Sequence, residues 1–199
     1  MHATKARLIE ATASLMGDTG ELNLTLNDLL HATGVSKGSV YHFFDDFDDL
    51  LEQAYLLRFA EGVRASTLQL RAIVDEATDA DDFFARLDAV TASTQARVRA
   101  GLRFERARTL AMAQNSLRFK AALGAVQQEL TDALAEVFVQ AQGKGWVRTD
   151  VKPRTGAVFI QAYTLGRIVD DVTPEPMDDG DWERLIAEVA RKTFRIQEG

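Results

Sequence analysis

The 199-residue sequence contains no cysteine, which excludes a disulfide framework and any metal site built on thiolates. It has three histidines, and the positions of His2, His31 and His42 do not match the spacing of a metal site. Glycine-rich phosphate-binding loops and nucleophile elbows are missing as well. We therefore expect no bound metal, no cofactor and no enzymatic activity.

Long apolar runs are also absent, and none approaches the length that a helix needs to cross a bilayer. The first residues lack the sustained apolar core and small-residue cleavage site of a signal peptide. We therefore expect a cytoplasmic protein with no membrane partner. The alternation typical of strands is missing, whereas hydrophobic residues, 46% of the chain, recur at helical spacing. This pattern predicts an all-α globular protein.

Positive charge is scarce. The net charge is −7, and residues 1–50 carry three basic residues, Lys5, Arg7 and Lys37, against eight acidic ones. This balance argues against a protein that binds nucleic acid by overall attraction. Any DNA binding must depend on a few well-placed cations and on backbone N–H groups at helix starts.

Residues 24–51 are typical of two short helices joined by a glycine turn, followed by the start of a third helix. Thr25 and Ser36 can each cap a helix through a side-chain oxygen. Gly34 stands where a chain that leaves a helix commonly needs a left-handed residue. Two short helices joined in this way predict a helix-turn-helix, whose second helix is offered to the DNA major groove.

The second of these helices, residues 36–44, has an apolar and a polar face. Val35 and Val40 have the spacing of a hydrophobic staple around the Ser36 cap, which fixes the angle at which the chain enters the helix. The pattern turns three residues inward, Val40, Phe43 and Phe44, and leaves four exposed, Lys37, Gly38, Ser39 and His42. The exposed residues can reach base edges or phosphates.

The same segment resembles the N-terminal domain of the tetracycline-repressor-like (TetR) family of bacterial transcription regulators. The resemblance is carried by Thr25, Asp28, Leu29, Gly34, Val35, Ser36, Lys37, Gly38, Ser39, Val40, Tyr41, His42, Phe43, Phe44 and Leu50. Upstream it extends to Thr4, Lys5, Leu8, Ile9 and Ala11. The resemblance implies a ligand-responsive regulator, most often a repressor, that binds a palindromic double-stranded DNA operator as a homodimer. A small-molecule inducer would release it.

The motif and the resemblance together imply eight DNA contacts, at Lys5, Thr25, Ser36, Lys37, Gly38, Ser39, Tyr41 and His42. The chain departs from the family at the start of the third helix, where a phosphate-contacting lysine is common. Phe47 stands there between four aspartates, at positions 45, 46, 48 and 49. We therefore expect weak nonspecific DNA affinity with a shallow salt dependence. The alternative is a helical ligand-binding or protein-interaction module with weakened or lost DNA binding.

About nine helices are expected, in three parts. Residues 1–46 form the helix-turn-helix domain, 47–74 a connector helix, and 75–199 a ligand-binding and dimerisation domain. Four features mark predicted boundaries: Gly20 closes the turn after the first helix, the acidic segment 75–82 is a loop between domains, Gly101 interrupts or kinks a helix, and Asp181 caps the last one.

The C-terminal half carries a cluster of arginines between positions 97 and 108. Either these arginines form a solvated face, or one of them points into a cavity. In the second interpretation Arg103 or Arg106 binds an anionic inducer. The predicted ligand-binding residues are Arg103, Phe104, Met112, Phe138, Phe159, Tyr163 and Arg167, with Gln161 beside them. The last two helices would form the dimer interface, and the small residues Gly156, Ala162 and Gly166 would allow close approach of a partner.

Overall fold

The computed structural model describes residues 2–19 and 24–196. Its helices are α1 (Ala3–Thr19), α2 (Leu26–Thr33), α3 (Lys37–Phe43), α4 (Phe47–Glu76), α5 (Ala80–Gln95), α6 (Ala100–Met112), α7 (Leu117–Gly143), α8 (Pro153–Gly166), α9 (Ile168–Asp171) and α10 (Asp179–Phe194). The described residues contain no strand, only an isolated bridge between Val147 and Arg195. The all-α prediction is confirmed. The expected turn at Gly20 lies outside the described residues.

The chain divides into two compact units, and the first comprises Met1–Gly62 and Met112–Gly124. Its core joins α1, α2, α3 and the start of α4 through six buried side chains, Leu8, Ile9, Leu29, Val40, Phe44 and Leu50. Val35 packs against this core beside the fully buried Val40, so the predicted staple is present. Burial of this apolar face is what holds α3 with its other face outward.

Local hydrogen bonds fix the ends of α2 and α3. The Thr25 hydroxyl oxygen accepts the Asp28 N–H at 3.3 Å, and the Asp28 carboxylate accepts the Thr25 N–H at 2.8 Å, which together make a capping box. Gly34 adopts a φ of 67° and donates its N–H to the Leu30 carbonyl. Ser36 accepts the Ser39 N–H at 3.2 Å. The predicted caps and the left-handed glycine are confirmed.

The second unit comprises Val63–Ala111 and Ala125–Gly199, so α4 and α7 each contribute one part to both units. An aromatic cluster extends from its core to its surface: the buried Phe194 ring is 4.9 Å from the buried Phe138 and 5.8 Å from Phe159, which is exposed. Gly156 is buried against Phe138, since a Cβ at this position would lie 2.6 Å from the ring. Gly156 therefore serves packing within the chain, whereas Ala162 and Gly166 are exposed.

The acidic segment 75–82 contains a shorter loop than expected, limited to residues 77–79. Helix α4 continues to Glu76 and α5 begins at Ala80. Asp79 caps α5 by accepting the Asp82 N–H at 2.9 Å, and Asp82 returns the interaction by accepting the Thr78 N–H at 3.1 Å. The carboxylates start a helix because negative charge is favourable in a first turn.

The predicted break at Gly101 is also wrong, because the helix ends at Gln95 and α6 already begins at Ala100. The Nη1 atom of Arg103 donates to the carbonyls of Thr94, Gln95 and Ala96 at 3.2–3.3 Å. A distant guanidinium thus satisfies the carbonyls at the end of α5, which otherwise have no intrahelical partner. The last helix likewise starts early, since Asp178 rather than Asp181 is its cap.

Candidate DNA-binding surface and ligand cavity

Helix α3 presents a polar face to solvent. Lys37, Gly38, Tyr41 and His42 are exposed, and Tyr41 retains 46% of its accessible surface. The Lys37 Nζ lies 5.7 Å from the centre of the Tyr41 ring, within the range of a cation–π contact. Val40 on the opposite face is fully buried. The helix therefore offers a cation, a phenol and an imidazole on one exposed face.

The three serine and threonine hydroxyl groups predicted to contact DNA differ in the hydrogen bonds that they already donate within the protein. The Ser36 and Ser39 hydroxyls lie 3.0 Å apart, so one of them donates to the other. The other hydroxyl keeps its proton for an external acceptor. The Thr25 hydroxyl donates to the Asp28 carboxylate at 2.6 Å. A phosphate that approaches Thr25 would have to compete with this carboxylate.

The N-terminal part of α1 lies against the end of α3. The Lys5 Nζ is 5.0 Å from the centre of the Phe44 ring. The His2 ring lies 4.9 Å from Phe43, and its Nδ1 accepts the Thr4 N–H at 3.3 Å. The structure thus brings Lys5 close to the motif, as expected, and adds His2. No local sequence pattern points to His2, because its neighbour is 41 residues away.

The four aspartates around Phe47, here called the acidic turn (Asp45, Asp46, Asp48 and Asp49), are mostly structural. Asp46 accepts the Asp49 N–H at 2.7 Å and so caps α4. The buried Asp49 accepts the Asp45 N–H at 3.2 Å and the Gln53 amide at 2.9 Å. Phe47 packs against the core of the first unit.

A cation from α7 lies beside the acidic turn. Arg118 contacts three carboxylates, with N–O distances of 3.1 Å to Asp45, 3.3 Å to Asp49 and 2.9 Å to Glu52. We call these four residues the Arg118 cluster. The sequence gives no signal for it, because Arg118 follows Glu52 by 66 residues and Asp45 by 73.

The second unit contains an open groove of about 610 Å³ between α4 and α7 and a smaller cavity of about 90 Å³. The smaller cavity brings polar groups together on an apolar wall, which is the usual character of a ligand site. Its polar lining consists of Ser66, Gln69, Thr91, Thr94, Arg106, Gln161, Tyr163 and Thr164. The apolar lining includes Leu87, Leu130, Leu134 and Ile160.

Two partly buried groups set the chemistry of this cavity. Arg106 donates from Nη2 to the amide oxygens of Gln127 at 3.2 Å and Gln161 at 3.4 Å, and burial lowers the pKa of its guanidinium. Burial raises the pKa of the Tyr163 hydroxyl, which lies 3.4 Å from the Thr91 hydroxyl. The cavity wall therefore carries a partly desolvated positive charge and a neutral phenol.

Of the seven predicted ligand-binding residues, only Tyr163 lines this cavity. Arg103 is buried elsewhere, with two bonds of 2.6 Å to the Asp171 carboxylate. Phe138 and Phe159 belong to the aromatic cluster around Phe194. The remaining three, Phe104, Met112 and Arg167, are not among the lining residues. Their part in ligand binding stays a prediction.

A family of known proteins, described as "Bacterial regulatory proteins, tetR family", matches residues 8–54. The matched segment begins in α1, includes α2 and α3, and ends in α4. This segment of the chain is therefore similar to bacterial regulatory proteins of the tetR family. The resemblance inferred from the sequence is thereby confirmed, and the acidic turn is a feature of this TetR-type domain.

Solved structures extend the likeness over nearly the whole chain. A putative TetR-family transcriptional regulator from Mesorhizobium loti MAFF303099 is 14% identical, with 98% of each chain covered and a TM-score of 0.71. A putative transcriptional regulator from Saccharomonospora viridis, solved in complex with choline, is 16% identical, with 98% of each chain covered and a TM-score of 0.68. The fatty acid degradation regulator FadR from Bacillus halodurans is 17% identical, with 95% coverage of each chain and a TM-score of 0.64. These likenesses show the TetR-type fold. Comparison with curated protein sequences finds no match.

Two further structural findings concern only the residues that the structure describes. None of their helices is both long and apolar enough to span a membrane. No three or more of their His, Cys, Asp and Glu side chains are grouped as a metal ion would require.

Proposed function

We propose that the chain is a transcription regulator, most simply a repressor, that binds a palindromic operator as a homodimer through α3. The observation that carries the proposal is that α3 exposes a polar face while Val40 on its opposite face is fully buried. A recognition helix needs both features, because packing fixes its orientation and its polar side chains contact the DNA. Lys37 would contact a guanine edge or a phosphate, while Tyr41, His42 and Lys5 would contact the backbone. The function needs no catalytic group.

DNA selection from a random-sequence pool, followed by a binding titration, tests this proposal. We expect the wild-type chain to enrich a palindrome with half-sites about one helical turn apart. Lys37→Gln should weaken binding to that duplex, whereas Lys152→Gln, an equal charge change at an exposed residue of the second unit, should not. Absence of any enriched sequence, even at low salt, would favour the alternative of a ligand-binding or interaction module.

The salt dependence of binding tests the expected shortage of phosphate contacts. Each neutralised phosphate contributes about 0.9 to the slope of log K against log salt. We expect a slope that corresponds to few contacts, because Phe47 and the acidic turn replace a cation at the start of α4. A slope equivalent to about eight or more contacts per dimer would contradict this expectation.

The dimer is proposed to form through α8 and α10. Both helices carry exposed apolar side chains, including Val158 (50%), Phe159 (40%) and Leu185 (52%). Covering them with a second copy would remove apolar surface from water. Light scattering at micromolar concentration should give the mass of two chains, and Leu185→Asp should give one. A wild-type monomer would count against this assembly.

The effector is proposed to be a small carboxylate with an apolar body. Arg106 supplies the charge, and the leucine and isoleucine side chains supply the apolar wall. Arg167, one helical turn beyond Tyr163, does not line the cavity and would supply a second charge only to a ligand that opens the cavity toward it. It is 2% exposed and pairs with Asp179, and its Nε and Nη1 have no acceptor within the described part of the chain.

Ligand-induced stabilisation tests this effector class. A series of short-chain carboxylic acids should raise the melting temperature and release the duplex, whereas the matching primary alcohols and amines should not. Because about 90 Å³ is below the usual 300–1,000 Å³ of ligand sites, the ligand must be small or must open the cavity. Arg106→Met should abolish the response if the carboxylate meets Arg106. Equal stabilisation by the alcohols would exclude an anionic effector.

A further inference from the structure

The Arg118 cluster includes two carboxylates, Asp45 and Asp49, that follow α3 closely in the chain. Asp45 follows the last residue of α3 by two positions, and the other aspartates of the acidic turn follow at once. Carboxylates this close to a DNA-reading helix repel phosphates. The guanidinium of Arg118 offsets part of that repulsion, because it contacts Asp45 and Asp49 of the acidic turn as well as Glu52.

The cluster is partly shielded from water, which distinguishes it from an ordinary surface ion pair. The side chains of Asp49 and Glu52 are only 8% and 15% exposed, although Arg118 and Asp45 are 54% and 84% exposed. Arg118 bonds Glu52 from both Nε (3.3 Å) and Nη2 (2.9 Å), which fixes the orientation of the guanidinium. These hydrogen bonds, together with the neighbouring carboxylates, raise the pKa of Arg118. Networks of this kind contribute more than isolated exposed pairs.

We propose that Arg118 is a positioning residue for DNA binding, which offsets part of the negative charge of the acidic turn and holds the turn in place while the protein is on DNA. The inference rests on the proposed function. When Arg118 moves away, Asp45, Asp49 and Glu52 are left as uncompensated charges beside α3, and the DNA is released. No group of the acidic turn needs to contact DNA for this effect.

Helix α7 carries both Arg118 and part of the cavity wall. Arg118 lies in its first turn, and the same continuous helix contributes Leu130 and Leu134 to the wall of the ligand cavity. The distance from residue 118 to residue 130 is about 18 Å along a helix axis. A ligand that opens the cavity by displacing α7 would therefore also displace the Arg118 guanidinium.

The first experiment compares Arg118→Gln with Lys120→Gln in binding titrations on a duplex that the wild-type chain has enriched from a random pool. Both changes remove one positive charge from the same turn of α7, and Lys120 is exposed. At low ionic strength Arg118→Gln should weaken binding about threefold to tenfold, with a smaller effect at high salt. Lys120→Gln should change affinity less than twofold. Equal effects of the two substitutions would overturn the proposal.

A second variant separates electrostatic positioning from a merely structural contact. In the Arg118→Gln background, Asp45→Asn removes a repelling carboxylate and should restore most of the lost affinity. If Arg118 acted only as a structural bridge, this second loss of a partner would leave binding weak or weaken it further. Arg118→Lys keeps the charge without the fork of donors and should bind DNA with intermediate affinity.

The wild-type titration distinguishes the two levels of the proposal. If the wild-type chain binds the enriched duplex and Arg118→Gln binds equally well, the proposed function stands and the role of Arg118 is overturned. If the wild-type chain binds no duplex, the proposed function fails and this inference fails with it. The proposal predicts in addition that carboxylate ligands lower the DNA affinity of Arg118→Gln by a smaller factor than that of the wild-type chain. In the variant the charges of the acidic turn already lack the compensating cation.

Discussion

The helix-turn-helix and the buried arginines of the second unit differ in the sequence separation of the residues that stabilise each region. In residues 24–44 the caps, the glycine turn and the staple join positions three to five residues apart. Arg103 instead meets Asp171, 68 residues away, and Arg167 meets Asp179 in the next long helix. Short-range devices are visible in a sequence, whereas long-range charge pairs need the folded chain.

The two regions also differ in what the loss of one partner would cost. A missing cap leaves a backbone N–H that water can reach, whereas a missing partner of Arg103 leaves a charge inside the protein. The four substitutions below test this difference, in order of decreasing effect on the free energy of unfolding.

Arg103→Ala should be the most damaging change. It leaves the Asp171 carboxylate, whose side chain is 2% exposed, without its cation and frees the carbonyls at the end of α5. Breaking a buried pair from one side costs about 3–5 kcal/mol. Urea unfolding should show this loss, while the exposed Arg99→Ala should stay within about 0.5 kcal/mol. A cost below about 1 kcal/mol would mean that water already reaches the pair.

Gly34→Ala should cost about 1–2 kcal/mol, because an L-residue is strained at a φ of 67°. Space is not the cause, since no atom lies within 4 Å of the added Cβ. The melting temperature and the DNA affinity should both decrease, because the turn sets the angle between α2 and α3. If Gly34→Asn were as destabilising as the alanine, backbone strain would not be the explanation, since asparagine tolerates this conformation.

Thr25→Ala should cost about 1 kcal/mol, the usual value of an N-cap. Hydrogen bonds from Thr25 lower the pKa of Asp28 from its ordinary value. Their stabilisation is therefore present above that ordinary value, about 3.9, and is lost as the pH falls through the lowered pKa. In the variant, NMR titration should show the pKa of Asp28 moving back up. An unchanged pKa would contradict the capping box.

Gly101→Ala should give the smallest effect and the opposite sign, a stabilisation of up to about 0.5–1 kcal/mol. The residue is helical in α6, and an added Cβ meets no atom within 4 Å. The prediction contrasts with Gly34→Ala, although both positions read as breaks in the sequence. Destabilisation at Gly101, measured by thermal unfolding, would restore the interpretation of a break at this glycine.

The structure of the helix-turn-helix was thus largely predictable, and the small cavity of the second unit was not. The periodicity of residues 36–44 correctly separated the buried Val40 and Phe44 from the exposed Lys37 and His42. The arginines between positions 97 and 108 offered no such separation, because each fits a surface, a pair or a cavity equally well. Only helix packing assigned Arg103 to Asp171 and Arg106 to the cavity wall.

The sequence by itself determined the helices of the first unit, their caps and the exposed face of α3. Each depends on side chains within about one helical turn, where the backbone geometry determines which residues are in contact. The tertiary structure decided the role of the acidic turn, which the sequence presented only as repulsive charge. Its carboxylates became caps and partners of Arg118, because packing brought a cation from α7 to them.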